Sequence, residues 1–369
     1  MHILPENLTI RLQLHFWKWL KRIYWVTKEI NNHNKLVSII LPVYNGEKHL
    51  AESIGSCLAQ TYRKIELIII NDASTDKTLE IAEKFAQQDD RVTVYSNKTN
   101  QKLPASLNTG HKMARGNLLT WTSHDNSYNL KAIQKMVTTI ETTGTDIVYT
   151  DYNIIEDDGK FRRKVVHTEN SHLLLENTVG ACFLYKQEVF KRNGGYNENL
   201  HTVEDYDFWL RSLVHSKFQH ISEDLYNYRS HENSLSSRID EEETHENKNF
   251  RTVLKFSYLS FFQQFLLSKK DYAELFTSLH RHEKISVYNF LKKYEDFKRD
   301  ISILDKKLYS FNPPSLFKNV DLKLRSSMHR QEENQNLKTL LQILLKRPTL
   351  LTGYDRRRSL QLIFKCLKK

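Results

Sequence analysis

The sequence predicts an α/β fold, a mostly parallel sheet flanked by helices and continued by a helical extension. Three observations carry this. Short unbroken apolar runs recur between residues 36 and 240, with helix-period segments between them. Each run stops in polar, turn-forming residues, as strands buried on both faces do. Beyond about residue 240 the strand-like runs fade, and helix-period segments rich in both charges take over.

The elements follow in order. KLVSIILPV (35–43) reads as the first strand, IELIII (65–70) as the second, RVTVY (91–95) as the third and NLLTWT (117–122) as the fourth. Helices are expected over 47–59, 75–88 and 103–115. Ser74 and Thr75 lead into the second of these, with Asp76 in its first turn. Cys182–Tyr185 reads as a further strand, Gly194-Gly195 as a tight turn and Asp205–Leu213 as a helix with Phe208, Trp209 and Leu213 available to a core. In the extension, 250–267, 284–294 and 337–345 look helical, and Pro313-Pro314 and Pro348 interrupt. The expected division is a basic amphipathic helix over 1–35, an α/β domain over 36–240 and a helical basic extension over 241–369.

Composition narrows the function. With 39% hydrophobic residues, 10 glycines and 6 prolines, the 369-residue chain is neither collagen-like nor disordered. Its net charge of +11 suits an anionic partner, and equally a solvated lysine-rich surface. The three cysteines, Cys57, Cys182 and Cys366, have neither zinc spacing nor an even number, so a reducing compartment is expected. Neither a signal peptide nor a run of about 20 apolar residues is evident, and the expectation is a cytoplasmic protein that can touch a membrane.

In open parallel sheets, ligands bind at the carboxyl ends of the strands. The first strand ends in Pro42-Val43-Tyr44-Asn45, the second in Asn71-Asp72-Ala73-Ser74 and the fourth in Ser123-His124-Asp125-Asn126. Tyr44 offers an aromatic face to a base. Asp72 can accept from a ring N–H, and Asp125 can hold a hard divalent ion that bridges phosphates. Each has a plainer reading: Asp72 as part of a helix cap, Asp125-Asn126 as a turn, Tyr44 as packing.

These segments, SIILPVYN, ELIIINDASTD and NLLTWTSHDN, together with Asn100, Asn108, Gly110, Ala114 and Gly116, resemble the nucleotide-binding half of family 2 glycosyltransferases of the GT-A fold, of the kind that builds bacterial cell-surface polysaccharides. The resemblance covers roughly residues 36–238. It implies that Pro42 and Tyr44 line the base and ribose pocket, with Asn45 and Asn100 as further nucleotide contacts. It implies that Asp72 binds the base, commonly uracil, and that Asp125 is the metal-binding aspartate for Mg²⁺ or Mn²⁺. His124 stands where many relatives carry an aspartate that contacts the ribose. Histidine is a weaker partner for a hard cation, so the metal depends on Asp125.

A second cluster, GGYNENL followed by VEDYDFWLR, resembles the acceptor-side segment, whose ED aspartate is the general base; here that residue is Asp205. A carboxylate at hydrogen-bond reach suits removal of a hydroxyl proton, and the helix N-terminus is expected to favour its ionised form. Alternatively, Glu204, Asp205 and Asp207 only satisfy the start of a helix. In LYNYRSHENSLS (225–236), His231 can reach the diphosphate or metal, or be solvated, and Arg229 can bind phosphate or be structural. The QxxRW signature of processive synthases is absent, and the resemblance implies inverting, non-processive transfer of a sugar from a nucleotide donor, a UDP-sugar first, to a glycan or lipid-linked hydroxyl. A non-catalytic nucleotide-sugar or glycan binder is the alternative that His124 prompts. Nucleic acid is a poor fit, since the charge excess sits at the ends and no binding signature occurs. A nucleotidyltransferase would want a glycine-rich basic loop where Tyr44-Asn45-Gly46-Glu47 stands.

Residues 11–30 put Leu12, Phe16, Trp19, Leu20, Ile23, Val26 and Ile30 on one helical face and Arg11, Lys18, Lys21, Arg22 and Lys28 on the other. That pattern suits an interfacial helix on an anionic membrane, or a helix packed on protein. Residues 350–369 repeat the theme.

Overall fold

The computed structural model describes residues 35–167, 173–232, 234, 239, 244–265, 270–309, 316–352 and 356–368. The amphipathic segment 11–30 and Pro313-Pro314 lie outside these residues.

The four expected strands form: β1 (Val37–Val43), β2 (Ile65–Asn71), β3 (Val92–Ser96) and β4 (Leu118–Trp121). All seven residues of β1 and of β2 are buried, which is why they read as unbroken apolar runs. The order β3-β2-β1-β4 is parallel throughout. The helices between them are α1 (Leu50–Leu58), α2 (Thr78–Gln88) and α3 (Lys102–Met113). The second starts later than expected. Asp76 precedes it, accepting from Thr78 N at 3.0 Å and from Glu47 N at 3.1 Å.

Beyond β4 the sheet becomes mixed. The two-residue β5 (Ser127–Tyr128), β6 (Ile147–Ile155), β7 (Phe161–Val165), β8 (Phe183–Lys186) and β9 (Phe218–Arg229) complete nine strands among the described residues, with helix α4 (Ala132–Thr143) between β5 and β6. β8 pairs antiparallel with both β4 and β6, while β6 runs parallel to β9. α5 (Gln187–Asn193) and α6 (Glu204–Ser212) follow β8. Between them the chain turns at Gly194 and Gly195, both at positive φ. A side chain at Gly195 would also place Cβ 2.7 Å from Asn108 Oδ1. Asn108 itself donates to Tyr196 O at 2.9 Å and accepts from Tyr196 N at 2.8 Å, tying α3 to that turn.

From His245 on, the described residues are mostly helical: α7 (His245–Gln263), α8 (Lys270–His280), α9 (Val287–Lys292), α10 (Tyr294–Tyr309), α11 (Leu316–Arg330), α12 (Leu337–Lys346), α13 (Thr349–Thr352) and α14 (Arg356–Lys368). These helices continue the core of one sheet face. One apolar cluster runs from Ile40 and Ile70 through Tyr185 and Trp209 to Tyr258, Phe276, Phe297 and Leu362. Tyr206 and Tyr258 meet through their hydroxyls at 2.8 Å, joining α6 to α7. The other face is closed by α1 and α4 around Leu41, Ile54, Ile69 and Met136. Among the described residues no helix is long and apolar enough to cross a membrane.

Candidate active site

The strand-end loops meet at one edge of the sheet. Asn45 N donates to Ser74 Oγ at 3.0 Å, and Asn45 Oδ1 accepts from Thr75 N at 2.9 Å. Gly46 N donates to Thr78 Oγ1 at 2.8 Å, and Glu47 Oε2 accepts from Lys77 N at 2.9 Å. Ser74 and Thr75 thus staple the β2 loop to the β1 loop and do not cap α2, whose N-cap, Lys77, makes no side-chain capping bond.

Behind these loops opens a cleft of about 610 Å³. Pro42, Tyr44, Asn45, Asp72, Asn100, His124, Asp125 and His231 all line it. Its far wall comes from His201, Thr202 and Tyr228 and from His245, Glu246 and Asn249 at the start of α7, which the sequence does not single out. Five non-glycine residues among those described have positive φ, and three of them, Asn45, Lys102 and Thr202, line this cleft. Such backbone costs free energy and gathers where function holds it.

Asp72 is buried at the floor. Its Oδ1 accepts from Asn97 Nδ2 at 2.7 Å and Gln101 N at 2.8 Å, and its Oδ2 accepts from Lys102 N at 2.9 Å. A carboxylate offers about four acceptor positions, so one remains on Oδ2. Tyr44 is 47% exposed at the rim, with its ring available to a planar ligand.

Asp125 has two different oxygens. Oδ2 faces His231 Nε2 at 3.0 Å, and Oδ1 is buried with no hydrogen-bond partner. Burial pushes this carboxyl up, yet the hydrogen bond from His231 and the neighbouring His124 outweigh it and leave the pKa below the usual aspartate range. The same hydrogen bond raises the pKa of His231. His124 is lowered, chiefly by burial. Its ring packs on Gly46, where a Cβ would lie 2.5 Å from Cδ2.

Arg229 explains how Asp125 is aimed. Its backbone N donates to Asn126 Oδ1 at 2.8 Å, its Nε to Asp125 O at 2.9 Å, its Nη1 to Asp157 O at 2.9 Å and its Nη2 to Glu52 Oε2 at 2.6 Å. The guanidinium is 2% exposed and each of its nitrogens already donates to protein, so it positions the loop and is not open to phosphate. A residue 104 positions away leaves no local signal of this kind in the sequence.

A buried carboxylate oxygen without a partner is a costly arrangement unless something else satisfies it, so Asp125 Oδ1 fits a divalent cation. Among the described residues no group of three or more His, Cys, Asp or Glu is poised to hold a metal. A cation held here would take one or two ligands from these residues and the rest from phosphate and water, as Mg²⁺ does elsewhere.

Asp205 does not line the cleft, although His201 and Thr202 just before it do. Its Oδ2 accepts from Asn177 Nδ2 at 2.9 Å and its Oδ1 from Tyr206 N at 2.6 Å. Burial raises its pKa, against these hydrogen bonds. Next to it, Glu204 is raised to about 8 by burial and then by the charge of Asp205, and its Oε2 is buried without a partner. The helix N-terminus alone would favour ionisation of this pair, as the sequence leads one to expect, but desolvation is the larger effect. Asp207, the third acid of this turn, is structural: Arg211 Nε holds it at 2.8 Å and Ser257 Oγ at 3.1 Å.

The family described as glycosyl transferase family 2 matches residues 38–194. An uncharacterized glycosyltransferase of Rickettsia typhi is 31% identical over 226 residues, 58% of this chain and 67% of that protein. EpsE of Bacillus subtilis, assigned as a glycosyltransferase, is 30% identical over 215 residues, 56% of this chain and 77% of that protein. Of longer relatives, such as the one from Rickettsia felis, the matched region spans only 33%. Among solved structures, residues 1–349 of Staphylococcus aureus TarS in complex with UDP-GlcNAc superpose with a TM-score of 0.54 at 19% identity, covering 87% of this chain and 93% of that one. The same TarS segment in complex with UDP gives 0.53. At that identity the likeness concerns the fold.

Proposed function

Since this chain belongs to glycosyl transferase family 2, we propose that it transfers a sugar from a UDP-sugar to a hydroxyl of a glycan or lipid-linked acceptor in cell-envelope polysaccharide synthesis. The observation that carries the reading is the buried, unpartnered Oδ1 of Asp125 in a cleft that also holds Asp72 and Tyr44. TarS, solved with UDP and with UDP-GlcNAc, supports a uridine donor.

In this reading Tyr44 stacks on the base, and the remaining acceptor position of Asp72 Oδ2 takes the uracil N3–H. Asn45, Asn100 and His124 surround the ribose. Asp125, backed by His231, would hold Mg²⁺ or Mn²⁺, which when bound neutralises charge on the leaving diphosphate. Asp205 removes the acceptor proton as the hydroxyl oxygen attacks the anomeric carbon. The new C–O bond forms as the bond to the diphosphate breaks, the nucleoside diphosphate leaves with the electron pair, and the proton rests on the carboxylate. One base and direct displacement give inversion. Burial that raises the Asp205 carboxyl strengthens it for this task.

The test pairs calorimetric donor binding with product detection for a panel of nucleotide sugars, with and without Mn²⁺. Asp125→Ala should lose the metal-dependent part of binding. Asp205→Asn should keep donor affinity and lose transfer by about 10²–10⁴-fold. Turnover that survives in Asp205→Asn would remove Asp205 as the base. A second reading, donor binding without turnover, draws on Asp205 standing outside the cleft lining. It predicts donor binding with no product from any acceptor.

A further inference from the structure

We propose that α12 and α14 together form a docking face for an anionic lipid bilayer. The two helices pack on one another. Each is buried along one side only, through Leu340 and Ile343 in α12 and through Leu362 and Cys366 in α14. Each also exposes a second apolar stripe at helical spacing. In α12 it is Leu337, Leu341, Leu344 and Leu345, the last 75% exposed. In α14 it is Leu360, Phe364 and Leu367, with Phe364 63% exposed. Of the fifteen large hydrophobic residues exposed among those described, seven lie on these two helices. Scattered single residues need no explanation, but seven of them on two helices that pack together do.

Charge selects the occupant. Residues 337–369 contain nine Lys or Arg and a single acid, Asp355, a net +8 of the chain's +11. Residues 1–34 hold five basic residues and two acids, a net +3, so residues 35–336 are neutral in sum. Neither α12 nor α14 contains an aspartate or glutamate. Lys338, Lys346, Arg357, Arg358, Lys365 and Lys368 are exposed around the apolar stripes. A second copy would bring the same basic rim against this one, since a two-fold interface repeats one patch. Residues 1–34 carry the same sign. A nucleic acid would meet the basic rim and leave the leucines in water. An anionic bilayer satisfies both features, with acyl chains for the stripes and headgroups for the lysines and arginines. The 13 residues of α14 reach about 20 Å, short of the roughly 30 Å hydrocarbon core, so the face lies on the bilayer and does not cross it. An enzyme docked in this way would meet a lipid-linked acceptor in two dimensions. The docking itself does not depend on the donor or on the chemistry proposed above.

The full chain is sedimented with vesicles of phosphatidylcholine alone and with vesicles containing one third phosphatidylglycerol. Two double variants, Leu341→Glu/Phe364→Glu and Arg357→Glu/Lys365→Glu, are run beside it, with unfolding temperature and oligomeric state measured without lipid. Binding to the anionic vesicles only, weakened about tenfold or more by each variant and falling with added salt, is the expected result. All four substituted residues are exposed, so the unfolding temperature should hold. Absence of wild-type binding to anionic vesicles overturns the proposal, as does binding that both variants retain. Variants that convert a dimer to a monomer, with no vesicle binding in the parent, assign the face to a second copy instead.

Discussion

Asp72 is predicted to act twice, as a ligand for the nucleotide base and as the anchor of the loop that walls the cleft. Removing its side chain in Asp72→Ala deletes three hydrogen bonds, from Asn97 Nδ2, Gln101 N and Lys102 N. Hydrogen bonds to charged groups contribute about 1.5–3 kcal/mol each when their donors are then left dry. Gln101 and Lys102 are exposed residues, so water can reach those donors, and about 1 kcal/mol apiece is the better figure. Lys102 N, at φ +71°, also reaches Asn100 Oδ1 at 3.1 Å and so keeps one partner. The expected loss is therefore about 3 kcal/mol. At roughly 2.1 cal/mol/K per residue, unfolding 369 residues carries about 0.8 kcal/mol/K, so the midpoint should fall by about 4 °C. In parallel, calorimetric titration should show UDP affinity reduced by more than about tenfold, because the loop carrying Asn100 and Lys102 loosens as the base acceptor is lost. Asn97→Ala separates the two roles. It removes one donor, leaves the carboxylate, and should cost about 1 kcal/mol of stability with little change in affinity. A midpoint shift below about 1 °C in Asp72→Ala would refute the anchor, and unchanged UDP affinity would refute the base contact.

Three further outcomes are expected. Gly46→Ala forces its new methyl against His124, 2.5 Å from Cδ2, and should weaken nucleotide binding measured by calorimetry while leaving far-UV circular dichroism intact. Glu204, raised to about 8 in the folded protein, binds its proton more tightly there than in the unfolded chain, so its contribution is present at low pH and is lost as pH rises through 8. Glu204→Gln removes that slope, and its unfolding midpoint should gain on the parent as pH rises from about 4.5 to about 8 and hold that gain above it. Histidines run the other way. Burial lowers His111 and His167 to about 4 and His280 to about 3, so the unfolded state takes up protons first, and stability should fall as pH drops from about 6.5 toward 4 in denaturant titrations.

Legibility in the sequence divides along physical lines. β1 and β2 are buried on both faces, and such strands are written as apolar runs that need no neighbour to be recognised. Their polar ends, with that of β4, then point to the cleft, which is why Pro42, Tyr44, Asp72 and Asp125 can be picked out from the chain alone. β9 is buried only in part, carries Glu223 and Asp224 at its middle, and pairs with β6 through two register shifts, so no simple period marks it. β7 is exposed along almost its whole length and reads as charged loop. The helices α10 and α11 are not hidden in this way, since Phe297, Ile301, Leu304 and Leu308 in the one and Leu316, Val320, Leu324 and Met328 in the other recur at helical spacing and are buried along one stripe. The site shows the same divide. A residue that meets the ligand can be found from its chemistry and its place after a strand. A residue that aims another one, as Arg229 aims Asp125 across 104 positions, or a carboxyl whose proton is decided by what encloses it, as in Glu204 and Asp205, is written in tertiary burial alone. For Asp205 the chain offers only the helix N-terminus, a local and exposed effect of about 1 kcal/mol. Desolvation of a group enclosed by Asn177, Tyr206 and Glu204 exceeds it and reverses the sign. That reversal favours the proposed role, because a carboxylate raised by burial is a stronger base toward an acceptor hydroxyl than one held down by a helix dipole.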